Sequence, residues 1–148
     1  MEREAAPNRW EDWRFRIAEV VLREDAFGNL ARVLRDDGRL RRTLHPGFRL
    51  ELFRDEGEGY HLNLASGAPV WFVVWRIDDE DPSRAWPETV SLSYHEAGRW
   101  LDAQERVDNV PLQPELAAWL QAYTDETYRP EPKRRRRPQS FVPPDQRS

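Results

Sequence analysis

Val70-Trp71-Phe72-Val73-Val74-Trp75 is apolar at every position and rich in β-branched and aromatic side chains. A half-exposed strand alternates apolar and polar residues, so a run without alternation predicts a strand covered on both faces. The covers it implies are the rest of a sheet curling over one side and a helix lying across the other. Working outward from this run, residues 65–69 read as a turn before it, and residues 78–87 as an acidic, proline-containing loop after it.

Towards the N-terminus the pattern is that of short strands. Residues 10–22 predict a first strand, because Trp13, Phe15 and Ile17 alternate with Arg14, Arg16 and Ala18. Residues 30–35 and 39–44 predict two more, joined by the hairpin signal Asp36-Asp37-Gly38 and followed by a turn at His45-Pro46-Gly47. Phe48, Leu50 and Leu52 alternate with Arg49, Glu51 and Phe53. After a loop over residues 55–59, Tyr60, Leu62 and Leu64 alternate with His61 and Asn63, which extends the meander. Towards the C-terminus, residues 89–91 predict a short strand. Ser93 and Glu96 then have capping-box spacing before a stripe of Ala97, Trp100 and Leu101. A second helix starts at Pro114 and aligns Leu116, Trp119, Leu120, Tyr123 and Thr127 on one face. The expected class is α+β: a curved antiparallel sheet or small barrel of about six or seven strands followed by two C-terminal helices, then a basic tail. The expected organisation is a flexible N-terminus over residues 1–9, one domain over residues 10–128, and a flexible Pro/Arg-rich segment over residues 129–148.

The chain has 148 residues, 39% hydrophobic and 34% charged, with no cysteine. That composition suits a globular domain, excludes disulfide and thiolate chemistry, and contains no run of the roughly 20 apolar residues a membrane helix requires. With no secretory start, the expected location is the cytoplasm. Net charge is −4, but residues 129–148 hold seven basic and two acidic residues, leaving −9 on the remainder. An acidic body disfavours nucleic-acid binding except through the basic segment.

No nucleophile motif, phosphate loop or dinucleotide fingerprint occurs, so no catalytic residue, metal ligand or cofactor is assigned. Of three histidines, His45 and His95 read as solvated, whereas His61 shares a predicted strand face with Asn63 beside Glu58. Glu58, His61 and Asn63 therefore form the candidate ligand pocket. Asp78, Asp79, Glu80 and Asp81 are hard-cation ligand types, but consecutive residues do not converge on one ion. Of seven tryptophans, Trp71, Trp75, Trp100 and Trp119 read as core, and Trp10, Trp13 and Trp86 lie near element ends. Trp10 and Trp13, with Lys133, Arg134, Arg135, Arg136 and Arg137, are the expected partner-binding residues, because Trp and Arg dominate interface hot spots.

Several segments together resemble one family. They are residues 10–14 (Trp-Glu-Asp-Trp-Arg), residues 50–54 (Leu-Glu-Leu-Phe-Arg), Glu58-Gly59-Tyr60-His61-Leu62-Asn63-Leu64, residues 70–76, Tyr94-His95-Glu96-Ala97 with Leu101-Asp102, and the basic C-terminal end. The resemblance is to an uncharacterised bacterial domain-of-unknown-function family encoded beside molybdenum-dependent formate dehydrogenase and its maturation proteins. It implies an accessory role in formate dehydrogenase assembly or molybdenum cofactor handling, with a dehydrogenase subunit or maturation factor as protein partner. It carries no active site. Beside this non-enzymatic reading stand two others, a small-ligand-binding domain or enzyme using the curved sheet, and nucleic-acid binding through the basic segment.

Overall fold

The computed structural model describes residues 1–6 and 13–129. Its elements are β1 (Glu2–Ala5), β2 (Trp13–Arg16), β3 (Arg32–Asp36), β4 (Leu40–Leu44), α1 (Gly57–Ala65), β5 (Val70–Ile77), β6 (Ala85–Ser91), α2 (Tyr94–Asp102), β7 (Arg106–Pro111) and α3 (Pro114–Thr127). The α+β class holds. The strands form two antiparallel sheets, ordered β2-β1-β4-β3 and β6-β5-β7, in place of one curved sheet or barrel. Helices are also not confined to the end, since α1 precedes β5 and β7 separates α2 from α3.

The deciding run became the middle strand of the second sheet, hydrogen-bonded to β6 on one side and β7 on the other. Trp71 to Trp75 are all buried. Alternate side chains leave opposite faces. Trp71, Val73 and Trp75 join a cluster with Ile17, Leu112 and Leu120, while Phe72 meets the Tyr94 ring of α2 edge-on at 6.3 Å. A helix does lie across one face. The first sheet reaches the other through Phe15 of β2, whose ring centroid is 6.0 Å from that of Trp75, and through Arg3, whose Nη1 donates to the Ser83 carbonyl.

The N-terminal sheet is held by charge more than by apolar burial. Glu2, set in β1 by the cross-strand pairs Glu2↔Arg16 and Glu2↔Arg42, is only 5% exposed. Its carboxylate accepts hydrogen bonds from Arg16 Nε at 2.7 Å and from Arg42 Nε and Nη2 at 3.0 and 2.7 Å. Residues expected to precede the domain thus form its second strand in sheet order. The hairpin of β3 and β4 turns where the sequence places it, with Gly38 at φ +83°.

One expected strand is a helix. Tyr60, Asn63 and Leu64 have i, i+3, i+4 spacing, and α1 buries Tyr60 and Asn63 while Leu64 packs against the core. Gly59 lets α1 approach the start of α2: a Cβ there would lie 2.1 Å from Ser93 Oγ. Ser93 caps α2 by accepting from Glu96 N–H at 3.2 Å. The reciprocal half of the capping box is absent, because Glu96 instead accepts from Ser91 Oγ and Ser93 N–H donates to Ser91 Oγ.

Two glycines of similar helical setting should respond oppositely. Gly59→Ala is expected to cost about 2 kcal/mol by overpacking, whereas Gly98→Ala, with nothing within 4 Å of its Cβ, should gain about 0.5–1 kcal/mol from helix propensity. Urea unfolding of the two variants checks the pair. Burial raises the Glu2 pKa, but the bonds from Arg42 and Arg16 outweigh it and hold the carboxyl below its usual range. Its stabilisation is therefore present above the ordinary carboxylate pKa and is lost as pH falls through the folded-state value. Glu2→Gln should cost about 1–2 kcal/mol at pH 7, moderated by the exposure of both arginines, and should remove this part of the pH dependence of unfolding below the ordinary carboxylate range.

Candidate functional site

The residues nominated as a pocket do not converge. Two positions apart on a strand share a face, but on a helix they stand about 200° apart, so His61 and Asn63 point away from each other. Asn63 is buried and its amide is fully used: Nδ2 donates to the carbonyls of Val70 and Leu92, both at 2.9 Å, and Oδ1 accepts from Val70 N–H at 3.0 Å. It fastens α1 to the second sheet. His61 lies against the Tyr128 ring with centroids 5.6 Å apart, and Glu58 is 3.6 Å from His95 Nε2. Trp13 is half-buried beneath Arg3, whose guanidinium carbon lies 4.1 Å above its ring. Trp10 and Lys133 to Arg137 lie outside the described residues.

A polar cleft of about 360 Å³ opens beside the start of α2, lined by Glu51, Glu88, Ser91 and Glu96 among others. Behind it Glu56 accepts from Ser93 Oγ and forms a close ion pair with Arg99. Burial raises the Glu56 carboxyl, but the bonds from Ser93 and Arg99 prevail and hold it below its usual range. Glu96 is pushed up by burial and, more weakly, by the Glu56 charge. Glu96 thus holds a proton more readily than an ordinary glutamate carboxyl. Its neighbour Ser91 is 5% exposed, donates to Glu96 and accepts from Ser93 N–H, which gives it a capping role rather than that of a free nucleophile. Among the described residues no group of three or more His, Asp or Glu is placed to hold a metal ion.

The larger concavity is predominantly apolar, about 530 Å³. Trp71 and Val73 of β5 and Val90 of β6 line it, as do Leu116 and Trp119 of α3. Two irregular segments, residues 17–23 and 45–50, complete its walls together with the end of β4. The first segment is pinned at two points. Ile17 N–H donates to Asp108 Oδ2 of β7 at 2.8 Å, and the Val20 carbonyl accepts from Gln113 Nε2, whose Oε1 accepts from Trp71 Nε1. Val21, Leu22, Phe48 and Trp119 remain exposed around the opening, Trp119 at 47%, so this tryptophan is not core as expected. A clustering of exposed apolar side chains on a concave surface is the usual mark of a binding site. The non-alternating Val20-Val21-Leu22 and the helix- and strand-breaking Pro46-Gly47 were the signals that these segments are not strands.

His45 forms part of this wall and is half-buried, not solvated. Burial, and secondarily the Met1 ammonium, push its imidazole down to about 4, so the ring is neutral at physiological pH and offers one donor and one acceptor. In an NMR titration His45 should titrate with a midpoint near 4. As pH drops from about 6.5, the ordinary histidine value, the unfolded chain takes up the proton first, so the folded state loses stability down to about pH 4. His45→Gln should flatten that stretch of the stability profile.

No helix among the described residues is long and apolar enough to cross a membrane. No curated protein and no solved structure matches the chain. Residues 1–137 match the family DUF3305, described as a protein of unknown function, and the chain belongs to that family.

Proposed function

We propose that this protein is a non-enzymatic accessory protein that acts by contact with a protein partner, and that the partner is a formate dehydrogenase subunit or maturation factor. The observation that carries the interaction reading is the segregation of charge. Residues 55–128 contain four arginines against fifteen Asp and Glu, a net −11, and ten of those carboxylates are exposed on helices, loops and β6. Residues 129–148 follow with +5. Opposite potentials held by one chain favour oriented contact with a partner of complementary charge and raise its on-rate. The identity of the partner rests on the sequence resemblance, and the family match runs through the basic run to Arg137. The expressed acidity of the body disfavours a duplex nucleic acid lying against it.

Tagged full-length chain and a chain ending at Tyr128 test this. Purified from the native cell, the full chain should bring down the dehydrogenase subunit or maturation factor at about 0.1 M salt. The complex should weaken sharply by about 1 M, where the screening length falls from roughly 10 to 3 Å, and the truncated chain should recover little. Equal capture of that partner by both chains would refute the role of the basic segment, and capture abolished by nuclease would favour nucleic acid.

A further inference from the structure

The apolar cavity described above has no part in that reading. Its size falls within the roughly 300–1,000 Å³ of small-molecule sites, and its lining is predominantly aliphatic and aromatic. The floor belongs to the rigid middle strand of the second sheet, through Trp71 and Val73. One of the two irregular walls, residues 17–23, is held in place by the Asp108 and Gln113 bonds. A site on a fixed floor with a pinned wall loses less conformational entropy when filled.

Charged side chains occur at its boundary, and their pairing is uneven. Glu19 lies 3.9 Å from Arg42, which takes up part of its charge. Arg23 donates to the neutral Asn29 Oδ1, and Arg49 has no carboxylate within ion-pair distance among the described residues. Both are exposed. Arginine presents a planar fork of donors that matches a carboxylate. Phe48 and Arg49 also line the cleft of Glu51, Glu88 and Glu96. Those acids disfavour an anion there and confine the favourable anion position to the apolar side.

We propose that this cavity binds a free fatty acid, its acyl chain against Trp71, Val73, Val90 and Trp119 and its carboxylate at the mouth with Arg23 and Arg49. The neutral His45 in the wall supplies a hydrogen-bond partner that adds no charge of its own.

Calorimetry on the full-length protein, with dodecanoate and dodecanol as probes below their aggregation concentrations, tests the proposal. Dodecanoate should bind one to one and about tenfold or more tighter than dodecanol, the factor expected of a charge-assisted contact. The double variant Arg23→Ala/Arg49→Ala, altered only at exposed positions, should lose that advantage while binding dodecanol as before. Intermolecular NOEs from the probe chain to the indoles of Trp71 and Trp119 and to the Val90 methyls would place it in the cavity without any substitution. Absence of saturable binding, equal affinity for the two probes, or NOEs confined to other residues would each overturn the proposal. So would capture by phosphatidylglycerol vesicles without binding of free dodecanoate, which would assign the apolar opening to a lipid surface.

Discussion

The middle strand β5 keeps a continuous run of side chains on both its faces out of water. Five consecutive residues from Trp71 to Trp75 are buried, and leaving any one of them exposed would forfeit about 1.5–3 kcal/mol. The strand therefore needs hydrogen-bonding neighbours on both edges and a cover on both faces. The rest of the chain supplies these: β6 and β7 at the edges, α2 over Phe72, and Phe15, Ile17 and α3 against Trp71, Val73 and Trp75. Because the covers come from both ends of the sequence, the fold closes through long-range contacts rather than through a run of local hairpins.

Asn63 shows how a buried polar group specifies such an arrangement. Its amide makes both donor bonds and an acceptor bond to the backbone at the start of β5 and just after β6, so α1 has one position relative to the sheet. An isosteric apolar residue would leave the Val70 and Leu92 backbone groups unpaired in a dry environment, which is the costly outcome. Glu56, Ser93 and Arg99 then join α1 to α2 along the same contact, and Gly59 permits the approach. A residue that the sequence suggests as a ligand group is in this way an internal brace, and its neighbours Glu58 and His61 are left at the surface of the helix.

What the sequence reveals and conceals follows from where the stabilising energy lies. The doubly covered strand, the Asp36-Asp37-Gly38 hairpin, the Ser93 cap and the Pro114 helix start are all encoded locally, and each is present. Strand β1 is invisible to an apolar pattern because its one buried side chain is Glu2, buried by two arginines from other strands. The first half of β6 reads as loop because of Pro87, which the edge strand accommodates at a register shift opposite Trp75. The helix α1 mimics a strand because Tyr60, Leu62 and Leu64 alternate by chance, with two glycines at its start and only nine residues to show a 3.6 period. The cavity is the least legible feature, since it is built from segments without periodicity and from the difference between an apolar residue that is covered and one that is not.

That difference ties the cavity to the architecture. The four-stranded sheet meets the second sheet through Phe15 and Arg3, near Trp75 and Ser83, and the cavity opens instead over the opposite end of β5, at Trp71 and Val73. There the cover is delegated to irregular chain, which meets the strand through Ile17, Val20 and Leu50 but leaves Val21, Leu22 and Phe48 facing outward. A sheet edge extended over this end would have closed the space and buried those side chains at a gain of several kcal/mol. The sequence instead uses bonding groups to fix one irregular wall in place relative to the floor, Asp108 on Ile17 and Gln113 on both Val20 and Trp71. A wall that is pinned rather than collapsed is what a pre-formed binding site requires, and a mere packing fault in so apolar a setting would lack such fixings.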